Sequence, residues 1–134
     1  MNVAVLYRRP EDIGKDYLLD SQGRDGLKHV MRVRDILETL GHRPDLVDIN
    51  LDSYENLRKA EFDLAFNLCD DGFRNEPLLE AHIPAILDIL KIPYTGANPV
   101  ALATCVNKAR TKEILAFHNI PTPEFQVFRR IPSY

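Results

Sequence analysis

Apolar residues along this chain fall alternately into compact runs and helical stripes. The first run, Val3-Ala4-Val5-Leu6-Tyr7, is short and rich in β-branched side chains, and Arg8-Arg9-Pro10 follows it. That pattern predicts a buried strand ending at the proline. Residues 8–24 hold charges, glycines and Pro10, with a short apolar patch at Tyr17-Leu18-Leu19, and read as a long loop. From Leu27 the spacing changes. Leu27, Val30, Met31, Leu37 and Leu40 recur at helical intervals, with Val33 and Ile36 on the shoulder, and Gly41 stands where a helix would stop. Leu46-Val47-Asp48-Ile49 predicts a second strand, and residues 52–60 one or two helical turns around Leu57. Phe62 to Leu68 predicts a third strand, apolar throughout at Leu64-Ala65-Phe66, as a parallel sheet covered on both faces requires.

The second half keeps the alternation. A loop over Asn67–Asn75 leads to Pro77, a residue tolerated in a first helical turn. Leu79, Ile83, Ile86, Leu87 and Leu90 form the next stripe, with Pro84 inside it expected to bend the helix or leave its start irregular. Ile92-Pro93-Tyr94-Thr95 predicts a short fourth strand. Asn98 and Pro99 are a good cap and first residue for a helix to about Val106, and Asn107 can cap another carrying Ala109, Ile114, Leu115 and Phe117. Pro121 and Pro123 end helical structure, and Phe125 to Phe128 returns to strand character. Strands alternating with helices imply an α/β fold: a three-layer, Rossmann-like domain with a mostly parallel sheet of about four strands, plus a C-terminal helix-strand segment. Ligands of such sheets bind beyond the carboxyl ends of the strands, here residues 8–20, 67–75 and 95–98.

Composition narrows the class. A chain of 134 residues, 45% hydrophobic and 28% charged, is an ordinary globular domain with one core. That length leaves no room to enclose a nucleotide between two or three domains. A net charge of −3 gives no support for a nucleic-acid partner. No window approaches the ~20 apolar residues of a membrane span, and the short N-terminal run lacks the preceding charges of a signal peptide. Two cysteines without a Cys-x-x-Cys and four histidines without ligand spacing predict free thiols, a cytoplasmic protein and no metal site. Charge is unevenly spread. Asp63, Asp70, Asp71, Glu76, Glu80 and Asp88 face Arg74 alone, whereas Lys108, Arg110, Lys112, Arg129 and Arg130 outweigh Glu113 and Glu124. Either run suits a solvated face.

Several phosphate and hydrolase signatures are missing. The first strand is followed by Arg8-Arg9-Pro10 and not by Gly-x-Gly-x-x-Gly; there is no Walker-type loop and no Gly-x-Ser-x-Gly elbow. What stands instead is a series. Phe62-Asp63-Leu64-Ala65-Phe66-Asn67 is followed by Leu90-Lys91-Ile92-Pro93-Tyr94-Thr95-Gly96-Ala97-Asn98, then Asn107-Lys108-Ala109-Arg110-Thr111-Lys112, then Asn119-Ile120-Pro121-Thr122-Pro123. In order and spacing this series resembles the D-alanine–D-alanine ligases and their relatives in the ATP-grasp superfamily, closely over about residues 60–128 and in outline over residues 1–50.

The resemblance implies a pre-ATP-grasp domain over residues 1–105 and the start of the ATP-grasp domain over 106–134. It implies ATP and Mg²⁺ as cofactors of the parent enzyme, clamped by lobes beyond this chain, with a carboxylate activated as an acyl phosphate and attacked by an amine. The chain itself would then not catalyse. Its partners would be the rest of the ligase, in the same longer chain or as a separate subunit, and an amino-acid or peptide substrate; a homodimer stays open. Lys108 occupies the position of the family's phosphate-contacting lysine, a role that suits a point charge. Glu11 could stand for the glutamate that holds a substrate amine. Asp70, Glu76 and Glu80 could hold a substrate ammonium, or Asp70 and Glu76 could instead cap the following helix. The family's His-Gly-x-x-Gly-Glu-Asp-Gly loop is Leu68-Cys69-Asp70-Asp71-Gly72-Phe73-Arg74-Asn75-Glu76 here, without the histidine. A sibling amino-acid or peptide ligase therefore fits better than a strict D-alanine–D-alanine ligase. The competing class is a non-enzymatic, flavodoxin-like receiver or interaction module, in which Asp70, Glu11 and Asp12 would be the acidic centre.

Overall fold

A computed structural model describes residues 1–8, 22–50, 52–70, 72–73 and 76–128. The central strand β1, Asn2–Tyr7, is sealed from solvent along Val3 to Leu6. It pairs in parallel with β2, Arg43–Asp48, on one side and β3, Leu64–Asn67, on the other, giving the order β2-β1-β3. Helix α1, Gln22–Thr39, joins β1 to β2, and α2, Ser53–Lys59, joins β2 to β3. After β3 come a 3₁₀ turn at Pro77–Leu79, then α3, His82–Leu90, α4, Pro99–Val106, and α5, Lys108–Phe117.

Alternation along β1 divides the core, because successive side chains leave a strand on opposite faces. Val3, Val5 and Tyr7 pack with Leu27, Val30, Val33 and Leu37 of α1. Ala4 and Leu6 pack with Leu57 of α2, Ile83 and Leu87 of α3, Ile49 and Ile92. The sheet is therefore covered on both faces, which makes the three-layer α/β architecture expected from the apolar runs. The α1 stripe is turned slightly from its expected phase. Val33 packs inward, while Met31, Ile36 and Leu40 are exposed.

The chain's punctuation works as its chemistry predicts. Gly41, after α1, has φ +81°. Asn98 caps α4 by accepting the Ala101 amide at 2.9 Å, and Asn107 caps α5 by accepting that of Arg110 at 3.0 Å. Pro84 falls in the first turn of α3, where its missing N–H costs no helical bond. The start of that stripe is irregular, as expected, because the 3₁₀ turn carries Leu79 before the α-helix begins. The loop expected over residues 8–24 ends sooner than its polarity suggests, since α1 takes in Gln22 onward. Strand β2 also begins three residues before its apolar run: Pro44 sits opposite Val3 on an edge strand, where a missing N–H is tolerated.

Two expected strands are not formed. Among the described residues the sheet has three strands, not four; the Ile92–Thr95 segment contributes a single parallel bridge, Ala65 to Tyr94. Ala65 donates to the Pro93 carbonyl at 2.7 Å and receives the Thr95 amide at 3.0 Å, after which Gly96, with φ +102°, turns the chain away. Phe125–Phe128 joins no strand among the described residues, and Phe125, Val127 and Phe128 are exposed. A period-two apolar pattern makes a strand only where an edge is offered to it.

The Tyr94 phenol carries a testable pH dependence. Burial, then a hydrogen bond to Asp88 and that carboxylate's charge, push its pKa above the usual 10.0. The stability this contributes is full below pH 10 and is lost as pH rises through the higher folded value. Tyr94→Phe is expected to flatten the alkaline limb of stability above about pH 10 and to cost about 0.5–1 kcal/mol at pH 7, as one partly solvated hydrogen bond does. Urea titrations across that range read both effects.

Candidate substrate crevice

The carboxyl ends of β1 and β3 meet where the chain changes direction across the sheet, and backbone bonds hold the segments that leave them. Leu68 donates to the Leu6 carbonyl at 3.0 Å, carrying the pairing one residue past β3. The Asn67 amide donates to Thr95 Oγ at 3.0 Å, and Asn67 Oδ1 accepts the Cys69 amide at 3.1 Å. Thr95 thus ties the third expected ligand segment to the second. Beside them, at the end of β2, Ser53 Oγ donates to the Asp48 carbonyl at 3.1 Å and fixes the turn into α2.

Gly72 governs the next part of the loop. Its φ is +70°, and a Cβ there would lie 2.5 Å from the Glu76 carbonyl oxygen, 2.6 Å from the Glu80 nitrogen and 2.8 Å from the Leu79 carbonyl carbon. Three backbone groups therefore press on this one glycine. Its own carbonyl accepts a hydrogen bond from Arg8 Nη1 at 3.2 Å, which ties the loop to the first residue after the central strand.

Asp70, Glu76 and Glu80 are brought into this one segment at the end of β3. Asp70 and Glu76 are exposed and Glu80 is half-buried. Glu11 lies outside the described residues. Lys108 is not part of the same loop. It heads α5, with Nζ donating to the Cys105 carbonyl at 2.7 Å in exposed surroundings. Glu76 directly precedes the 3₁₀ turn, with its carbonyl accepting the Leu79 amide at 2.8 Å, and α3 begins further on, with Ala81 as its cap and no side-chain capping bond.

Two further sets of contacts involve residues outside the expected site set. Arg8 and Gly72 act as a pair, and the sequence signal for it is a glycine in an acidic loop after a strand together with a cation directly after the neighbouring strand. Lys112, expected as a plain surface residue, donates to Thr122 Oγ at 3.2 Å and to the Pro123 carbonyl at 3.0 Å. It also stands 5.4 Å from the centre of the Phe125 ring, so it pins the proline-rich segment back onto α5. Among the described residues no three His, Cys, Asp or Glu side chains gather into a metal-binding group. No helix among them is long and apolar enough to cross a membrane.

The fold defines an α/β domain of the Rossmann-like class, with an acidic segment after its third strand. No family model matches the chain. Curated relatives do. The chain is 30% identical over 125 residues to a D-alanine–D-alanine ligase of Moorella thermoacetica, covering 93% of this chain and 36% of that protein. It is 37% identical over 84 residues to the D-alanine–D-alanine ligase of Desulforamulus reducens, covering 63% of this chain and 26% of the relative. It is 37% identical over 87 residues to that of Azorhizobium caulinodans, covering 65% and 27%. The chain belongs to the D-alanine–D-alanine ligase-like family and matches its N-terminal region. It spans between 25% and 36% of the length of these curated relatives.

Proposed function

We propose that this chain is the substrate-side N-terminal domain of an ATP-dependent carboxylate–amine ligase. The observation that carries the reading is the match to D-alanine–D-alanine ligases across 93% of the chain, on a sheet whose carboxyl ends bear a built acidic loop. Residues 1–105 form the pre-ATP-grasp domain and 106–134 open the ATP-grasp domain. In the assembled enzyme, made of one longer chain or of two subunits, ATP activates a substrate carboxylate as its acyl phosphate, and an amine displaces the phosphate. Asp70, Glu76 and Glu80 supply negative charge for a substrate ammonium, and Glu11 is a further candidate. Lys108 is placed at a helix start, and its ammonium can exchange the Cys105 carbonyl for a phosphate oxygen. The family resemblance assigns the Mg²⁺ ligands to the remainder of the enzyme. Cys69 and Cys105 are not joined in a disulfide, which suits a cytoplasmic location.

The reading is tested by joining. The chain alone, with ATP, Mg²⁺ and D-alanine, is expected to release no phosphate. Replacing the matching region of the Moorella thermoacetica ligase with this chain is expected to give amino-acid-dependent phosphate release. In that chimera Lys108→Gln should raise KM for ATP roughly tenfold, the scale of one charge-assisted contact. Turnover by the isolated chain, or a folded chimera that is inert with every amino acid offered, overturns the proposal.

A further inference from the structure

Arg8 is half-satisfied. Its Nη1 donates to the Gly72 carbonyl at 3.2 Å, while Nη2 of the same guanidinium is closed to solvent and meets no acceptor among the described residues. Guanidinium cannot shed its charge at accessible pH, so burial is not relieved by deprotonation. Buried polar groups are almost always paired, and one that is not calls for a ligand, a water or a catalytic role. A purely structural tie to the loop accounts for Nη1 and leaves Nη2 unexplained. The guanidinium is also held in place, because the Gly72 carbonyl it grips belongs to backbone wedged against Glu76, Leu79 and Glu80.

We infer that Arg8 recognises a substrate carboxylate, with Nη2 donating to one carboxylate oxygen of an α-amino acid seated at the carboxyl ends of β1 and β3. Position supports this: Arg8 directly follows the central strand, at the place where open α/β sheets bind ligands. Chemistry supports a carboxylate over a polyphosphate. The loop that Arg8 grips carries Asp70, and Glu76 and Glu80 pack their backbones on its Gly72. That charge repels a polyanion. A zwitterion is accommodated, its carboxylate toward Arg8 and its ammonium toward the acidic segment. The inference deepens the ligase reading and rests on it for the class of ligand.

The test titrates the ¹⁵N-labelled 134-residue chain with D-alanine, with D-alaninamide, which lacks the carboxylate, and with inorganic phosphate. D-Alanine is expected to shift the Arg8 side-chain and Gly72 amide resonances to saturation. D-Alaninamide on the native chain, and D-alanine on Arg8→Gln, should each bind at least tenfold more weakly, and Arg8→Lys should recover part of the loss. A purely structural arginine would not separate D-alanine from its amide. Should Arg8→Gln fail to fold, that comparison on the native chain decides alone. No saturable shift with D-alanine, equal binding of the amide, or tighter binding of phosphate overturns the inference. Saturable D-alanine binding at Arg8 together with an inert chimera would instead retire the ligase reading and leave the carboxylate site standing.

Discussion

Gly72→Ala is expected to lower stability by about 3 kcal/mol, from two additive causes. Left-handed backbone costs a side chain about 1–2 kcal/mol. A methyl forced into packed surroundings costs about 1–3 kcal/mol more. Here the methyl would meet backbone at 2.5 to 2.8 Å, and backbone cannot swing aside as a long side chain does. Gly41→Ala isolates the first cause: φ there is +81°, yet nothing lies within 4 Å of the added carbon. That variant should lose only about 1 kcal/mol. The difference between the two midpoints in urea, at unchanged slope, measures how tightly the loop is wedged. Equal losses would mean that the 76–80 segment does not press on Gly72. The same substitution should also weaken D-alanine binding, because it moves the carbonyl that holds Arg8.

Leu6→Ala should cost about 3 kcal/mol, within the 2–5 kcal/mol that buried leucines lose on truncation. Leu6 is 0% exposed at the centre of the sheet, among Leu57, Ile83 and Leu87, and β1 is held by strands on both sides. The surroundings have little freedom to collapse into the space, which places the loss in the middle of the range or above it. Against a typical domain stability of about 5–15 kcal/mol the change is large. Ile89→Ala is the control: Ile89 is 69% exposed on α3 and should change stability by under about 0.5 kcal/mol. A Leu6→Ala loss no greater than that of Ile89→Ala would remove the case for a two-faced core on β1.

How far the sequence could be read depended on where each signal is stored. Strand β1 and the capped starts of α4 and α5 were legible because their determinants are local: a continuous apolar run, and an asparagine ahead of a helix. The early start of β2 was not, since Arg43, Pro44 and Asp45 enter the sheet only because β1 presents an edge to them. The strand character of Phe125–Phe128 went unused for the converse reason, as no edge among the described residues meets it. In the crevice, the acidic residues were visible by composition and Lys108 by its motif. The Arg8–Gly72 pair was not, for its partners lie 64 residues apart and only the parallel pairing of β1 with β3 brings them within reach.

The sequence by itself determined the α/β alternation, the helix boundaries set by capping residues, and the family, because these rest on periodicity and on motifs read within a few residues of one another. Tertiary structure decided which runs found sheet partners. It also decided that a glycine would be trapped between backbone segments, and that one arginine would be drawn to the strand ends with a donor to spare. Those outcomes depend on the registers of three strands at once, and a register is a relation between segments that no single segment carries.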